Sequence, residues 1–111
     1  MSVRHYLRRP PAVPAEEALR LVAEGALVVD VRREFEWRRA HIPGSVHVPL
    51  EALLDRCEEL PDDRLLITFC TGGIRSAGAA NLLVEHGFRA VNMSRGLIDW
   101  RAAGGELVSS A

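Results

Sequence analysis

Apolar positions along the chain alternate between helical spacing and short unbroken runs. From Pro14 to Gly25, Ala15, Ala18, Leu19 and Val22 share one face of a predicted helix. Pro14 suits the first helical position, Glu16 and Glu17 favour the positive end of the dipole, and Gly25 suits the stop. Ala26–Val31 is a continuous, β-branched run, the pattern of a strand buried on both faces. A brief helix over Glu34–Arg39, a turn at Ile42-Pro43-Gly44 and a short strand over Ser45–Val48 follow. Leu50, Leu53, Leu54 and Cys57 then form a stripe that predicts a helix over Leu50–Glu59, ended by Pro61-Asp62-Asp63. Leu65–Cys70 is the second strong strand. The next helix runs from Arg75 or Ser76 to His86, with Gly78, Asn81 and Glu85 on its polar side and Gly87 at its end. Ala90–Met93 reads as a strand, Gly96–Ala103 as a last short helix, and the residues from Gly104 onward as a partly ordered tail.

Strands that alternate with helices predict an α/β fold, a mainly parallel sheet with helices on both faces. In such sheets ligands bind beyond the carboxyl ends of the strands. Cys70 stands at that end of the most apolar strand.

Composition narrows the class of function. The 111 residues suffice for one domain, and 48% hydrophobic with 26% charged residues is ordinary for a globular chain able to fold without disulfides or metal. A net charge of -1 and 5% aromatic residues argue against nucleic acid or an anionic membrane as principal partner. Cys57 and Cys70 form no C-x-x-C pair, and His5, His41, His47 and His86 are scattered, so a zinc site is not expected. No apolar run approaches the roughly 20 residues of a membrane span, and the first ten residues lack a signal-peptide core. The cytoplasm, where thiols stay reduced, is the expected compartment.

The loop Cys70-Thr71-Gly72-Gly73-Ile74-Arg75-Ser76 carries the chemistry. A thiol attacks as the thiolate, which helix N-termini and nearby cations favour. Here a helix starts just after the cysteine, Gly72 and Gly73 allow positive φ so that N–H groups can turn inward, and Arg75 adds a fixed cation. Ser76 is placed to cap the helix or to donate a hydroxyl hydrogen bond. Taken singly, each feature is explained as well by a buried cysteine before an ordinary turn. Their conjunction within seven residues of a strand-to-helix junction favours a working sulfur.

This loop resembles that of the rhodanese family of sulfurtransferases, and the likeness extends from about Ala12 to Val108. Val29-Asp30-Val31-Arg32 resembles the family's D-V-R stretch, and His41-Ile42-Pro43-Gly44-Ser45 its H-I-P-G-A/S turn. Gly96-Leu97-Ile98-Asp99-Trp100 resembles its closing G-G/x-I-x-x-W segment. The resemblance implies a rhodanese-like domain over residues 12–108 with a five-stranded parallel sheet, an N-terminal extension over 1–11 and a tail over 109–111. It also implies that Cys70 accepts sulfane sulfur from a donor such as thiosulfate, becomes a persulfide, and passes the outer sulfur to a thiol or protein acceptor, with no metal or organic cofactor needed. The amides of Thr71, Gly72, Gly73, Ile74, Arg75 and Ser76 would cradle that sulfur, and Arg75 would attract an anionic donor.

Two positions depart from the family pattern: Ala40 and Arg95 stand where glycines are usual, and Arg95 is a candidate to border the pocket. The C-T-G-G-I-R string also resembles rhodanese-domain proteins that hydroxylate transfer RNA, whose much greater length argues against a shared full activity. Phosphatases and arsenate reductases of this fold use C-x5-R loops, whereas Cys70 to Arg75 is C-x4-R with no acid inside the loop. A non-catalytic binding module is the other alternative, although such modules often lack the cysteine. Elsewhere, Cys57, Trp37 and Trp100 read as packing residues, and His41 as a turn residue whose ring fixes backbone. Asp30 and Arg32 read as a structural pair, and Arg8-Arg9 and Arg38-Arg39 as solvated surface.

Overall fold

The computed structural model describes residues 1–110, so Ala111, the last residue of the expected tail, lies outside the described residues. Strands β1 (Ala12–Val13), β2 (Leu27–Asp30), β3 (Val46–His47), β4 (Leu66–Phe69) and β5 (Ala90–Met93) form one sheet in the order β1-β5-β4-β2-β3. Every pairing is parallel. The helices are α1 (Ala15–Ala23), α2 (Glu34–Arg39), α3 (Leu53–Arg56), α4 (Ile74–Glu85) and α5 (Gly96–Ala102).

Side chains alternate across the strands and so divide the core in two. Leu27, Val29 and Leu66 pack with Leu53, Cys57, Ala79, Leu82 and Leu83, beneath α3 and α4. Val28, Ile67, Phe69 and Met93 pack with Ala15, Ala18 and Trp100, beneath α1 and α5. All four residues of β2 and of β4 are buried, as strands covered on both faces require. The chain leaves β2 toward one edge of the sheet and β4 toward the other. The crevice beyond the carboxyl ends of these two neighbours is therefore a topological switch point. Among the described residues no helix is long and apolar enough to cross a membrane.

The sequence pattern and the fold differ in instructive places. β1 has two residues, too short to leave a periodic signal, and exists because Val13 pairs beside Met93. Pro14 is the N-cap of α1 rather than its first residue. The helix expected over Leu50–Glu59 is three pieces, a 3₁₀ turn at Leu50–Ala52, α3, and a 3₁₀ turn at Cys57–Glu59. The Leu50 N–H is held by the Val31 carbonyl, 3.0 Å away, so this segment starts tied to the sheet. Leu54 consequently leaves the apolar stripe and is half exposed. Gly78 and Asn81, expected on the polar side of α4, are buried. A 3₁₀ turn at Val3–Tyr6 covers them: the Tyr6 ring lies where a Gly78 side chain would be, and Asn81 Nδ2 donates to the carbonyls of His5 and Arg8, 2.7 Å each.

A buried ion pair fixes the end of β2. Asp30 is 0% and Arg32 2% exposed. Arg32 Nη2 reaches Asp30 Oδ2 at 2.7 Å and the Ala40 carbonyl at 2.6 Å, Nε reaches Oδ1 at 3.0 Å, and the Arg32 N–H also donates to Oδ1. The guanidinium carbon lies 5.2 Å from the centroid of Phe69. Both charges are satisfied only by each other and by nearby backbone, so removing one strands the other in a dry site. Arg32→Met should lower the free energy of unfolding by about 3–5 kcal/mol, measured as a shift in urea midpoint at neutral pH.

Candidate functional site

The site begins where β4 stops. The Cys70 carbonyl accepts from the Leu97 N–H at 2.9 Å, and the Thr71 carbonyl from the Ile98 N–H at 3.3 Å, so the first turn of α5 claims the chain as it leaves the sheet. That approach depends on Gly96: a Cβ there would lie 1.8 Å from the Cys70 carbonyl oxygen. Gly73, with φ of 94°, then turns the chain into α4 as its N-cap. Gly72 is not in the left-handed region; the loop spends only one positive φ. A Cβ on Gly73 would also come within 2.8 Å of the Arg95 nitrogen. Arg95 itself has φ of 56°, the one non-glycine residue in the left-handed region among the described residues. It occupies a turn that glycine would fill without steric cost.

The Cys70 sulfur sits inside this turn, with the residue 1% exposed. The Gly73 N–H donates to Sγ at 3.1 Å and the Ser76 N–H at 3.4 Å, while Ser76 Oγ lies 3.3 Å away. Both donating amides belong to the start of α4, whose first N–H groups have no partner within the helix. The amides of Thr71, Gly72, Ile74 and Arg75 make no hydrogen bond to Sγ, so two amides of the six expected reach the resting sulfur. The place offers fixed dipoles of one sign to an anion.

Beneath the sulfur lies a short polar chain. Ser76 Oγ donates to Asn92 Oδ1 at 2.5 Å, and Asn92 Nδ2 donates to the Gly73 carbonyl at 3.1 Å. Thr68 Oγ1 donates to the Ser76 carbonyl at 2.8 Å. Ser76, Thr68 and Asn92 are all buried. A serine hydroxyl has one proton to give. While it points at Asn92, Ser76 Oγ can accept from a Cys70 thiol; turned toward the sulfur, it donates to a thiolate. The same hydroxyl thus serves both protonation states without moving the backbone.

Across the switch point, α2 meets the loop. Arg75 Nη1 donates to Glu36 Oε1 at 2.9 Å and Nη2 to Oε2 at 3.2 Å, a two-pronged pair, and Thr71 Oγ1 stands 3.4 Å from Glu36 Oε2. The cation that the sequence assigns to an incoming anion is therefore held by a carboxylate in the resting site.

The other candidates separate. Cys57 is buried in the core beneath α3 and α4 and donates to the Leu54 carbonyl, with no hydrogen bond to the loop. The His41 ring donates from Nδ1 to the Trp37 carbonyl at 2.7 Å and stacks on Trp37 with centroids 3.7 Å apart, a turn residue as expected. Trp100 is core. Arg95 donates to Asp99 and borders a cleft beside the loop, and Arg8 and Arg9, read as plain surface, line the same cleft. Three site residues, Thr68, Asn92 and Glu36, escaped the sequence reading. Asn92 had a signal, a lone amide inside the apolar strand Ala90–Met93 that must find partners when buried. Glu36 had none, because its partner lies 39 positions away.

The rhodanese-like domain model matches residues 14–103. The chain is 36% identical over 91 residues to the thiosulfate sulfurtransferase GlpE of Pseudomonas savastanoi pv. phaseolicola, covering 81% of this chain and 86% of that protein. It is 32% identical over 96 residues to the HTH-type transcriptional regulator Rv0324 of Mycobacterium tuberculosis, covering 84% of this chain. The chain spans 42% of that regulator and 60% of another relative, the putative sulfur carrier protein YrkF of Bacillus subtilis. Among solved structures, a rhodanese-related protein from Thermoplasma volcanium superposes with a TM-score of 0.83 at 26% identity, covering 88% of this chain and 97% of that one.

The Glu36–Arg75 pair has a consequence in acid. The Arg75 hydrogen bonds hold the Glu36 carboxyl down to about 2, from an ordinary 4.5, against the opposing effect of partial burial. Glu36 in turn raises the Arg75 guanidinium. A depressed carboxyl stabilises the fold fully above its unfolded value, and that stability drains away as pH falls through the folded value. Urea midpoints taken between pH 4.5 and 2 should fall less steeply in Glu36→Gln than in the parent chain. Parallel curves would mean that the pair is solvent-screened and contributes nothing.

Proposed function

Because this chain belongs to the rhodanese-like family, we propose that Cys70 is the nucleophile of a sulfurtransferase and carries sulfane sulfur as a persulfide. The family and its relatives named as sulfurtransferases support sulfur transfer as the general chemistry. The observation that carries the finer reading is the convergence of the Gly73 N–H and the Ser76 N–H on one sulfur, with the Ser76 hydroxyl 3.3 Å away and able to turn toward it. Fixed donors aimed at an atom that becomes anionic stabilise the charge without reorganising when it appears.

The reaction divides into two displacements. The Cys70 thiolate attacks the outer sulfur of thiosulfate, the S–S bond of thiosulfate breaks, and sulfite leaves with the bonding pair. Cys70 is then a persulfide anion, its outer sulfur resting among the loop amides of Thr71 to Ser76 that the resting sulfur leaves unused. A thiol or protein acceptor, as its thiolate, next attacks that outer sulfur, and the Cys70 thiolate departs with the pair. Each step exchanges one S–S bond for another bond to sulfur, so no external oxidant or reductant enters. The scheme is ping-pong. Arg75, once it releases Glu36, is the cation available to an anionic donor. The working unit is assigned to residues 12–108, supported by β1 starting at Ala12 and by the backbone bridge between His41 and Val108. A free thiolate keeps its role where thiols remain reduced, so the cytoplasm is the proposed setting.

Intact mass spectrometry after incubation with thiosulfate tests the assignment. The parent chain should gain one sulfur, located on Cys70, and Cys70→Ser should gain none while remaining folded. Sulfur on Cys57 in that variant would overturn the site. Ser76→Ala, which deletes one charge-assisted donor, should slow loading by about tenfold, and an unchanged rate would assign Ser76 to packing alone.

A further inference from the structure

The N-terminal segment lies outside the 14–103 family match, yet it is fastened to the loop helix by a built contact. Asn81, 2% exposed, spends both amide hydrogens on the His5 and Arg8 carbonyls, and Tyr6 occupies the space that Gly78 leaves open on α4. Arg4 reaches Glu85 at 2.6 Å further along the same helix. The segment therefore runs past the start of α4 in a fixed position, and its next residues, Arg8 and Arg9, face the loop across a cleft of about 630 Å³. Gly72, Gly73 and Ile74 form the loop side of this cleft, and Arg95 stands beside them. Among the described residues no Asp or Glu lines it. Arg95 is paired with Asp99, but Arg8 and Arg9 have no ion-pair partner among the described residues.

Free cations clustered in a concave site attract anions well beyond what a net charge of -1 suggests. A guanidinium binds carboxylate in a planar, two-pronged manner. The volume is that of a small-molecule site. We propose that this cleft is the acceptor site, and that it takes a small thiol bearing carboxylates. Arg8 and Arg9 hold the carboxylates while the thiol sulfur is presented at the Gly72–Gly73 edge of the loop. The acceptor thiolate attacks the outer sulfur of the Cys70 persulfide, a new S–S bond forms on the acceptor, and the bond to Cys70 breaks with its electron pair returning to Cys70. Donor and acceptor then use different cations, Arg75 on the α2 side and Arg8 with Arg9 on the N-terminal side. This inference rests on the persulfide reading of Cys70 for its chemistry, but not for the binding itself.

Two measurements separate the cleft from that reading. In the first, persulfide-loaded protein is offered mercaptosuccinate, a dicarboxylate thiol, or uncharged 2-mercaptoethanol. Arg8→Ala/Arg9→Ala should raise KM for mercaptosuccinate about tenfold, leave KM for 2-mercaptoethanol within about twofold, and leave loading of Cys70 by thiosulfate intact. Arg8→Lys/Arg9→Lys should restore most of the loss. Equal changes for both thiols, or none for mercaptosuccinate, would overturn the proposal. In the second, succinate, which has no thiol, is titrated while backbone amide resonances are followed. Shifts should cluster at Arg8, Arg9, Gly72, Gly73 and Arg95 and vanish in the double alanine variant. If Cys70 never loads yet succinate binds there, the persulfide reading fails and the anion cleft stands. If Cys70 loads and succinate leaves these resonances unmoved, the cleft falls alone.

Discussion

The approach of Gly96 to the Cys70 carbonyl is the constraint on which the site depends. With a hydrogen in place of a side chain, the start of α5 comes close enough for the Leu97 N–H to take that carbonyl at 2.9 Å. β4 must then end, and the chain has to turn at once into α4. The turn needs one residue of positive φ, Gly73, and that residue is pressed against Arg95 on the neighbouring connection. The two loops after β4 and β5 are thus locked to each other, and the sulfur is surrounded as a result. An alanine at either glycine would put a methyl group inside backbone, where no side chain can move aside to relieve it.

Polar groups around the sulfur are satisfied in layers. Asn92 divides its amide between Ser76 and the Gly73 carbonyl, so one side chain on β5 orients both the hydroxyl and the turn. The buried side chains of Thr68, Ser76 and Asn92 are all partnered in this way, and the Ser76 hydroxyl is free to rotate between Asn92 and the sulfur. On the α2 side the Asp30–Arg32 pair anchors the end of β2 and grips the Ala40 carbonyl just beyond α2. Its rigidity keeps Glu36 within reach of Arg75. The Arg75 charge is therefore paired rather than free in the resting site, and an incoming anion would have to displace a carboxylate to reach it.

α4 serves two partners with opposite faces of its small-residue run. Ser76, Ala79 and Ala80 let its first turns lie against the sheet, while Gly78 and Asn81 receive the N-terminal segment from the other side. This explains why a helix bearing the most sensitive loop has so little polar surface in its first half. It also explains why residues read as a solvated edge prove to be an interface within the chain.

Much of this was legible in the residues alone. Hydrophobic runs marked β2, β4 and β5, helical spacing marked α1 and α4, and the order of elements required a parallel sheet with Cys70 at its carboxyl edge. The loop string and its neighbours carried the family resemblance, because turns and the residues they hold are written locally. The tertiary structure decided what depends on distance in space. Glu36 meets Arg75 across 39 positions, Asn92 meets Ser76 across 16, and Asn81 meets His5 across 76. β1 forms only because β5 offers it an edge, and the helix expected over Leu50–Glu59 breaks because its first residue is tied to the end of β2. Local sequence determined a cysteine in a glycine-containing loop at a strand end. Long-range packing determined which two amides face it, which carboxylate guards its cation, and which arginines stand at its door.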